Sequence, residues 1–191
     1  MAISDRLKAF LQSAKVKYSV MKHPVVYTAQ EIAGAQHVPG RQLAKCVLVK
    51  TEHGPVLAVL PAIHLIDLKK RKALLGAKTL SIGKEADIKQ AFPDVEVGAM
   101  SPFGNLYEVR VVVDRQLGEA GEIVFNAGTH TETIKMRYQD FAALAKPKAG
   151  PFAQALAKPK SSARKPAAKK GRGKASARPK AKKKPAARRR K

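Results

Sequence analysis

CVLVKTEHGPVLAVL, residues 46–60, is two apolar runs on either side of a turn. CVLVK (46–50) and VLAVL (56–60) are dense in Val and Leu, and His53-Gly54-Pro55 between them is turn material, so the stretch predicts two strands joined by a short connection. Neither run alternates with polar residues, which predicts strands covered on both faces.

Upstream, Ile3, Leu7, Phe10, Leu11 and Ala14 recur at helical spacing, with Ser4 or Asp5 placed to cap. A short strand over 18–21 leads into His23-Pro24. In TAQEIA (28–33), Thr28 and Glu31 have capping-box spacing ahead of an apolar run, so a helix begins at Ala29. Downstream, 65–75 predicts a helix ended by Gly76, and 84–91 a second, stopped at Phe92-Pro93. The remainder reads as β-rich: VEVGAM (95–100), YEVRVVVD (107–114), EIVFNAG (122–128) and TETIKM (131–136), before a last helix over 138–144. Helices segregated from strands by short turns predict an α+β domain. There is no β-α-β alternation, no Gly-rich nucleotide fingerprint and no internal repeat.

Charge divides the chain in two. The whole sequence carries 38 Lys and Arg against 14 Asp and Glu, a net charge of +24. Seventeen of the basic residues lie in 151–191, which has no acidic residue, so the body is only about +7. After Leu156 the chain contains only Lys, Arg, Ala, Pro, Ser and Gly, with prolines at 159, 166, 179 and 185. Such a segment cannot bury enough apolar surface to offset its ordering entropy, so disorder is expected. The expected organisation is a folded domain over 1–148 and a basic tail over 149–191. The single cysteine, Cys46, excludes a disulfide framework and a cysteine-based zinc site. The charged N-terminus (MAISDRLKAF) makes a secretory signal unexpected, and no run has the length of a membrane span. A soluble, cytoplasmic protein is the expectation.

Four segments in order, TAQEIA (28–33), LAKCVLV (43–49), GAMSPFG (98–104) and FNAGTHTETIKM (125–136), resemble the YbaK and prolyl-tRNA-synthetase-associated editing domain. The resemblance covers about 15–146. It implies a barrel-like mixed β-sheet flanked by helices, which agrees with the α+β reading. It also implies hydrolysis of the ester of mischarged aminoacyl-tRNA, often tRNA for proline carrying a small non-cognate amino acid. Members stand alone or are inserted in prolyl-tRNA synthetase, which makes that synthetase a candidate partner. No cofactor or metal is implied.

The resemblance assigns roles residue by residue. Lys45 falls at the family's functional lysine, where an ammonium can hold a phosphate as a point charge. Gly98, Ala99, Met100, Ser101 and Pro102 match the family's GxxxP loop, whose backbone N–H groups would approach a carbonyl closely. Gly128, Thr129 and His130 match a substrate-binding segment. Thr28 lines the pocket in some relatives, although the capping box by itself accounts for Thr28 and Glu31. Cys46 follows Lys45 in an apolar strand and reads as a core residue rather than a nucleophile. The implied mechanism is hydrolysis by positioning, although some relatives let a substrate thiol expel the tRNA.

The tail resembles the Lys/Ala/Pro-rich extensions of histone H1. Seventeen positive charges predict salt-dependent binding to RNA or DNA, and the absence of aromatic residues after Phe152 predicts no base stacking. Nucleoid or ribosome association is a corollary. A competing reading from another class is a non-catalytic nucleic-acid-binding protein that keeps the editing fold. Lys45 beside an intact 98–102 loop favours the enzyme.

Overall fold

The strands at the centre, β2 (Ala44–Thr51) and β3 (Gly54–Pro61), form an antiparallel hairpin in the computed structural model, which describes residues 4–155. The covered-strand expectation holds on both sides of β3. Leu57 and Val59 join one buried cluster with Phe103, Val111 and Phe125, while Val56, Ala58 and Leu60 join a second with Val49, Val112 and Phe152. Period-two alternation therefore feeds two cores, and both are apolar.

The fold is α+β: a mixed sheet flanked by helices. Chain order begins α1 (Asp5–Ser13), β1 (Tyr18–Lys22), α2 (Ala29–Ala35), then β2 and β3. Next come β4 (His64–Ile66), α3 (Leu68–Leu75), β5 (Leu80–Ile82), α4 (Glu85–Ala91), a 3₁₀ turn (Gly104–Tyr107) and β6 (Arg110–Asp114). The order closes with α5 (Arg115–Gly118), β7 (Glu122–Asn126), β8 (Glu132–Arg137), α6 (Tyr138–Ala145), β9 (Lys148–Gly150) and β10 (Ala153–Ala155). The five-stranded sheet runs β5-β2-β3-β6-β9, and β3–β6 and β6–β9 are its parallel pairs. A three-stranded sheet runs β1-β8-β7, and β10 pairs with β4. Leu43, just before β2, bridges Val124 of β7. That seam brings the start of β2 beside the end of β7, which is where the site forms.

Local chemistry sets several boundaries. The capping box at Thr28 is present as expected: its hydroxyl accepts from the Glu31 N–H at 3.2 Å, and its own N–H donates to the Glu31 carboxylate at 2.9 Å. The helix expected over 65–75 starts only at Leu68. Asp67 takes the N-cap, accepting from the N–H groups of Lys69 and Lys70, while 64–66 pair with β10. Ser4 sits at the start of α1 without capping it; its hydroxyl donates to Asp94 at 2.9 Å. VEVGAM is not a strand. The Val95 N–H donates to Phe92 O and the Ala99 N–H to Glu96 O, folding 92–99 into turns.

The folded part also extends past the boundary expected at 148. β9 and β10 pair with the body, and Phe152 is fully buried. Asp114, itself buried, ties this segment down by accepting from Phe152 N–H at 2.7 Å and Ala153 N–H at 2.6 Å while capping α5 through Gln116 N–H. The buried Arg71 guanidinium lies 5.0 Å from the Phe152 ring, and burial draws its pKa down to about 10. The remainder of the expected tail lies outside the described residues. Asp114→Ala leaves three N–H donors, those of Gln116, Phe152 and Ala153, without their acceptor, so stability should fall by about 2–3 kcal/mol. Thermal unfolding of the variant beside wild type reads this directly, and an unchanged midpoint would contradict it.

Candidate active site

Four separate stretches converge on one cavity of about 210 Å³. Its wall is made by Tyr27, Ala29 and Ile32 around the start of α2, by Leu43 to Val47 of β2 and its approach, by Gly98 and Met100, and by Asn126 at the end of β7. Ligand pockets for drug-sized molecules run about 300–1,000 Å³, so this one suits an aminoacyl group but not a whole nucleotide. A larger groove of about 510 Å³ lies at the far end of β2, between Lys50, Asp87, Tyr107 and Glu108. None of the residues singled out in the sequence lines it, and Lys50 and Asp87 there are already paired at 2.8 Å.

Lys45 is half-buried on the cavity wall. One of its N–H donors is held by the His64 carbonyl at 2.7 Å, which fixes the stem and leaves two donors of the ammonium. Burial lowers its pKa from the ordinary lysine value. Cys46 also contributes to the wall, while packing against the larger core. Burial pushes its thiol well above the usual range, so it remains protonated and unsuited to nucleophilic attack.

Two loops form the opposite side and are laced together. Gly98 has φ +92°, a conformation that L side chains rarely adopt. The Ala99 N–H is spent on Glu96 O, and Ala99 O accepts from the Gly128 N–H at 3.1 Å. Gly128 O in turn accepts from the Glu96 N–H at 3.0 Å. Gly128 has φ +102°, and a Cβ there would stand 3.1 Å from that of Ser4. His130 is buried beneath the loop: its N–H donates to the Glu96 carboxylate at 2.8 Å, and its Nε2 lies 3.0 Å from Val97 O. That second contact requires Nε2 to carry the proton. The His130 ring also meets Tyr27, centroid to centroid, at 4.8 Å.

Of the residues singled out in the sequence, Lys45, Gly98 and Met100 reach the cavity wall, and so does Cys46, which was expected in the core. Ala99, Ser101 and Pro102 are buried behind it, Gly128 and His130 brace the loop, and Thr129 is buried between them with its hydroxyl 3.4 Å from that of Thr131. Thr28 is exposed and occupied as a cap. Tyr27, Ile32, Leu43 and Asn126 line the cavity without having been singled out. For Tyr27 and Asn126 the signal was adjacency, since each touches or belongs to a segment that carries the resemblance. Among the described residues, no group of three or more His, Cys, Asp and Glu is placed to hold a metal ion, and no helix is long and apolar enough to cross a membrane.

Residues 23–144 match the family model for the aminoacyl-tRNA editing domain. The chain belongs to the aminoacyl-tRNA editing domain family. It is 27% identical over 150 residues to the prolyl-tRNA editing protein ProX of Acetoanaerobium sticklandii, covering 75% of this chain and 91% of that one. It is 26% identical over 148 residues to the multifunctional Ser/Thr-tRNA deacylase ProXp-y of Escherichia coli strain K12, covering 75% and 88%. A solved structure described as a candidate trans-editing enzyme for prolyl tRNA synthetase superposes with a TM-score of 0.71, covering 80% of this chain and 97% of that one at 20% identity. That likeness concerns the fold. Membership in the aminoacyl-tRNA editing domain family makes the chain an aminoacyl-tRNA deacylase, a hydrolase of the ester that joins amino acid to tRNA.

Proposed function

We propose that the chain edits in trans, clearing tRNA for proline that carries a small non-cognate amino acid, with the 210 Å³ cavity as the ester site. The observation that carries this reading is the joint presence of Lys45, Gly98 and Met100 on the wall of one small cavity. Lys45 directs its free donors at the terminal phosphate. The Ala99 N–H is committed elsewhere, so the amides of Gly98 and Met100 polarise the ester carbonyl while water attacks. His130 positions the loop from behind. Size selects the amino acid: one methylene discriminates only about 10–200-fold, so a second enzyme acting after charging has a clear use. Prolyl-tRNA synthetase, which makes the error, is the natural partner, and the cytoplasm is the place of action.

A deacylation panel tests the specificity. tRNA for proline charged with Ala, Cys, Ser or Pro is incubated with the protein, and loss of the ester is followed. Faster loss from the small non-cognate amino acids than from Pro is expected. Equal rates on all four, or loss from none of them, would overturn the proline assignment.

The basic tail adds affinity through its charge. Removing residues 156–191 takes away seventeen positive charges and leaves β10 intact. The truncated protein should bind tRNA and DNA more weakly, and its log affinity should fall less steeply with log salt. Single-turnover hydrolysis at saturating tRNA should stay within about threefold of wild type. Equal salt slopes for the two proteins would show that the tail does not touch nucleic acid.

A further inference from the structure

We infer that Tyr27 is the platform on which the unpaired 3′-terminal base of the tRNA stacks, a reading that rests on the deacylase activity and names how its substrate is positioned. Tyr27 forms part of the cavity wall yet is 72% exposed, and Val25 beside it is 58% exposed. The ring is open but not loosely held. The Tyr27 N–H donates to the Glu31 carboxylate at 3.2 Å, and the Val26 N–H donates to His130 O at 3.4 Å. The ring meets His130 at an interplanar angle of 57°, and His130 is fixed by Glu96 and Val97. An aromatic surface is thus anchored from beneath and left uncovered above.

The size of the cavity decides what meets that surface. About 210 Å³ takes an aminoacyl group but leaves no room for the nucleotide that carries it. With the ester inside, the terminal base must lie at the rim. Every base has a π-face, and stacking on an exposed ring needs no hydrogen-bond readout. Tyr27 is accordingly a positioning residue: it holds the nucleotide so that the ester reaches Gly98 and Met100.

The test uses the full-length chain in raised salt, which weakens phosphate contacts. The first arm compares binding of uncharged tRNA with binding of the same tRNA one nucleotide shorter at its 3′ end. Wild type and Tyr27→Phe should prefer the complete end by about tenfold, and Tyr27→Ala should bind both alike. The second arm compares hydrolysis of a mischarged tRNA with that of an aminoacyl methyl ester, which has no base. Tyr27→Ala should raise KM about tenfold on the tRNA with little change in kcat, a loss several-fold greater than on the methyl ester, which has no base to stack. Indifference of wild type to the terminal nucleotide would overturn the proposal. So would equal losses on both esters, which would mean that the ring only braces His130, or a Tyr27→Phe variant as impaired as Tyr27→Ala. The binding arm requires no turnover, so a chain that discriminates the two ends but hydrolyses nothing would overturn the deacylase activity and support the platform.

Discussion

Replacing Lys45 by alanine is expected to cut the deacylation rate by at least about tenfold, equivalent to roughly 1.4 kcal/mol of lost transition-state stabilisation, while the circular dichroism spectrum stays unchanged. Lys45 is half-buried on the cavity wall, and only one of its three donors is taken, by the His64 carbonyl at 2.7 Å. Alanine removes the ammonium that remains for phosphate but keeps the β2–β3 ladder, whose bonds are made by backbone. Arginine is not an equivalent replacement, because its planar fork is larger than an ammonium and presents donors in a fixed geometry. A folded Lys45→Ala protein with wild-type rates would remove Lys45 from the mechanism.

Gly98→Val should be the most damaging single change to activity, with losses of about a hundredfold, whereas Cys46→Ala should leave turnover within about threefold. At φ +92° a β-branched side chain is strained by about 1–3 kcal/mol, and the backbone will relieve that strain by moving the amides proposed to polarise the ester. A displacement of about 1 Å is enough to cost two orders of magnitude. The damage is conformational rather than steric, since the nearest atom to an added Cβ is the His130 Cε1 at an ordinary 3.5 Å. Cys46 contributes volume, and its buried thiol stays protonated, so alanine there should lower stability by on the order of 1 kcal/mol and spare the chemistry. The kinetics of the two variants, each checked for folding, separate the alternatives. If Cys46→Ala abolished turnover and Gly98→Val did not, the reaction would be thiol-based.

What could be read in the sequence was local. Thr28 and Glu31 announce the start of α2 because a capping box is complete within four residues. The β2–β3 hairpin is legible because its turn and both apolar runs are contiguous. VEVGAM misleads because alternation at 95–97 mimics a strand, while the positive φ of Gly98 and the Glu96 contacts to Ala99, Gly128 and His130 make it a tied loop. The pairing of β10 with β4 joins residues nearly ninety positions apart, and no local pattern at 153–155 signals it. Phe152 was the hint, the single aromatic residue of a tail otherwise dominated by Lys, Arg, Ala and Pro. The site was partly legible in the same way. Lys45 and Gly98 stand in recognisable segments, but the cavity also needs Tyr27 and Asn126 from two other places in the chain. Only the fold brings them together.

The central claim is that this cavity hydrolyses an aminoacyl ester, and single-turnover kinetics with the full-length chain in excess over one mischarged tRNA for proline test it most directly. The ester of Ala-tRNA should be lost at least about a hundredfold faster than in buffer alone, with Pro-tRNA spared and the acceleration cut at least about tenfold in Lys45→Ala. Loss at the buffer rate, under conditions where the tRNA is demonstrably bound, would contradict the account and leave a nucleic-acid-binding protein built on the editing fold.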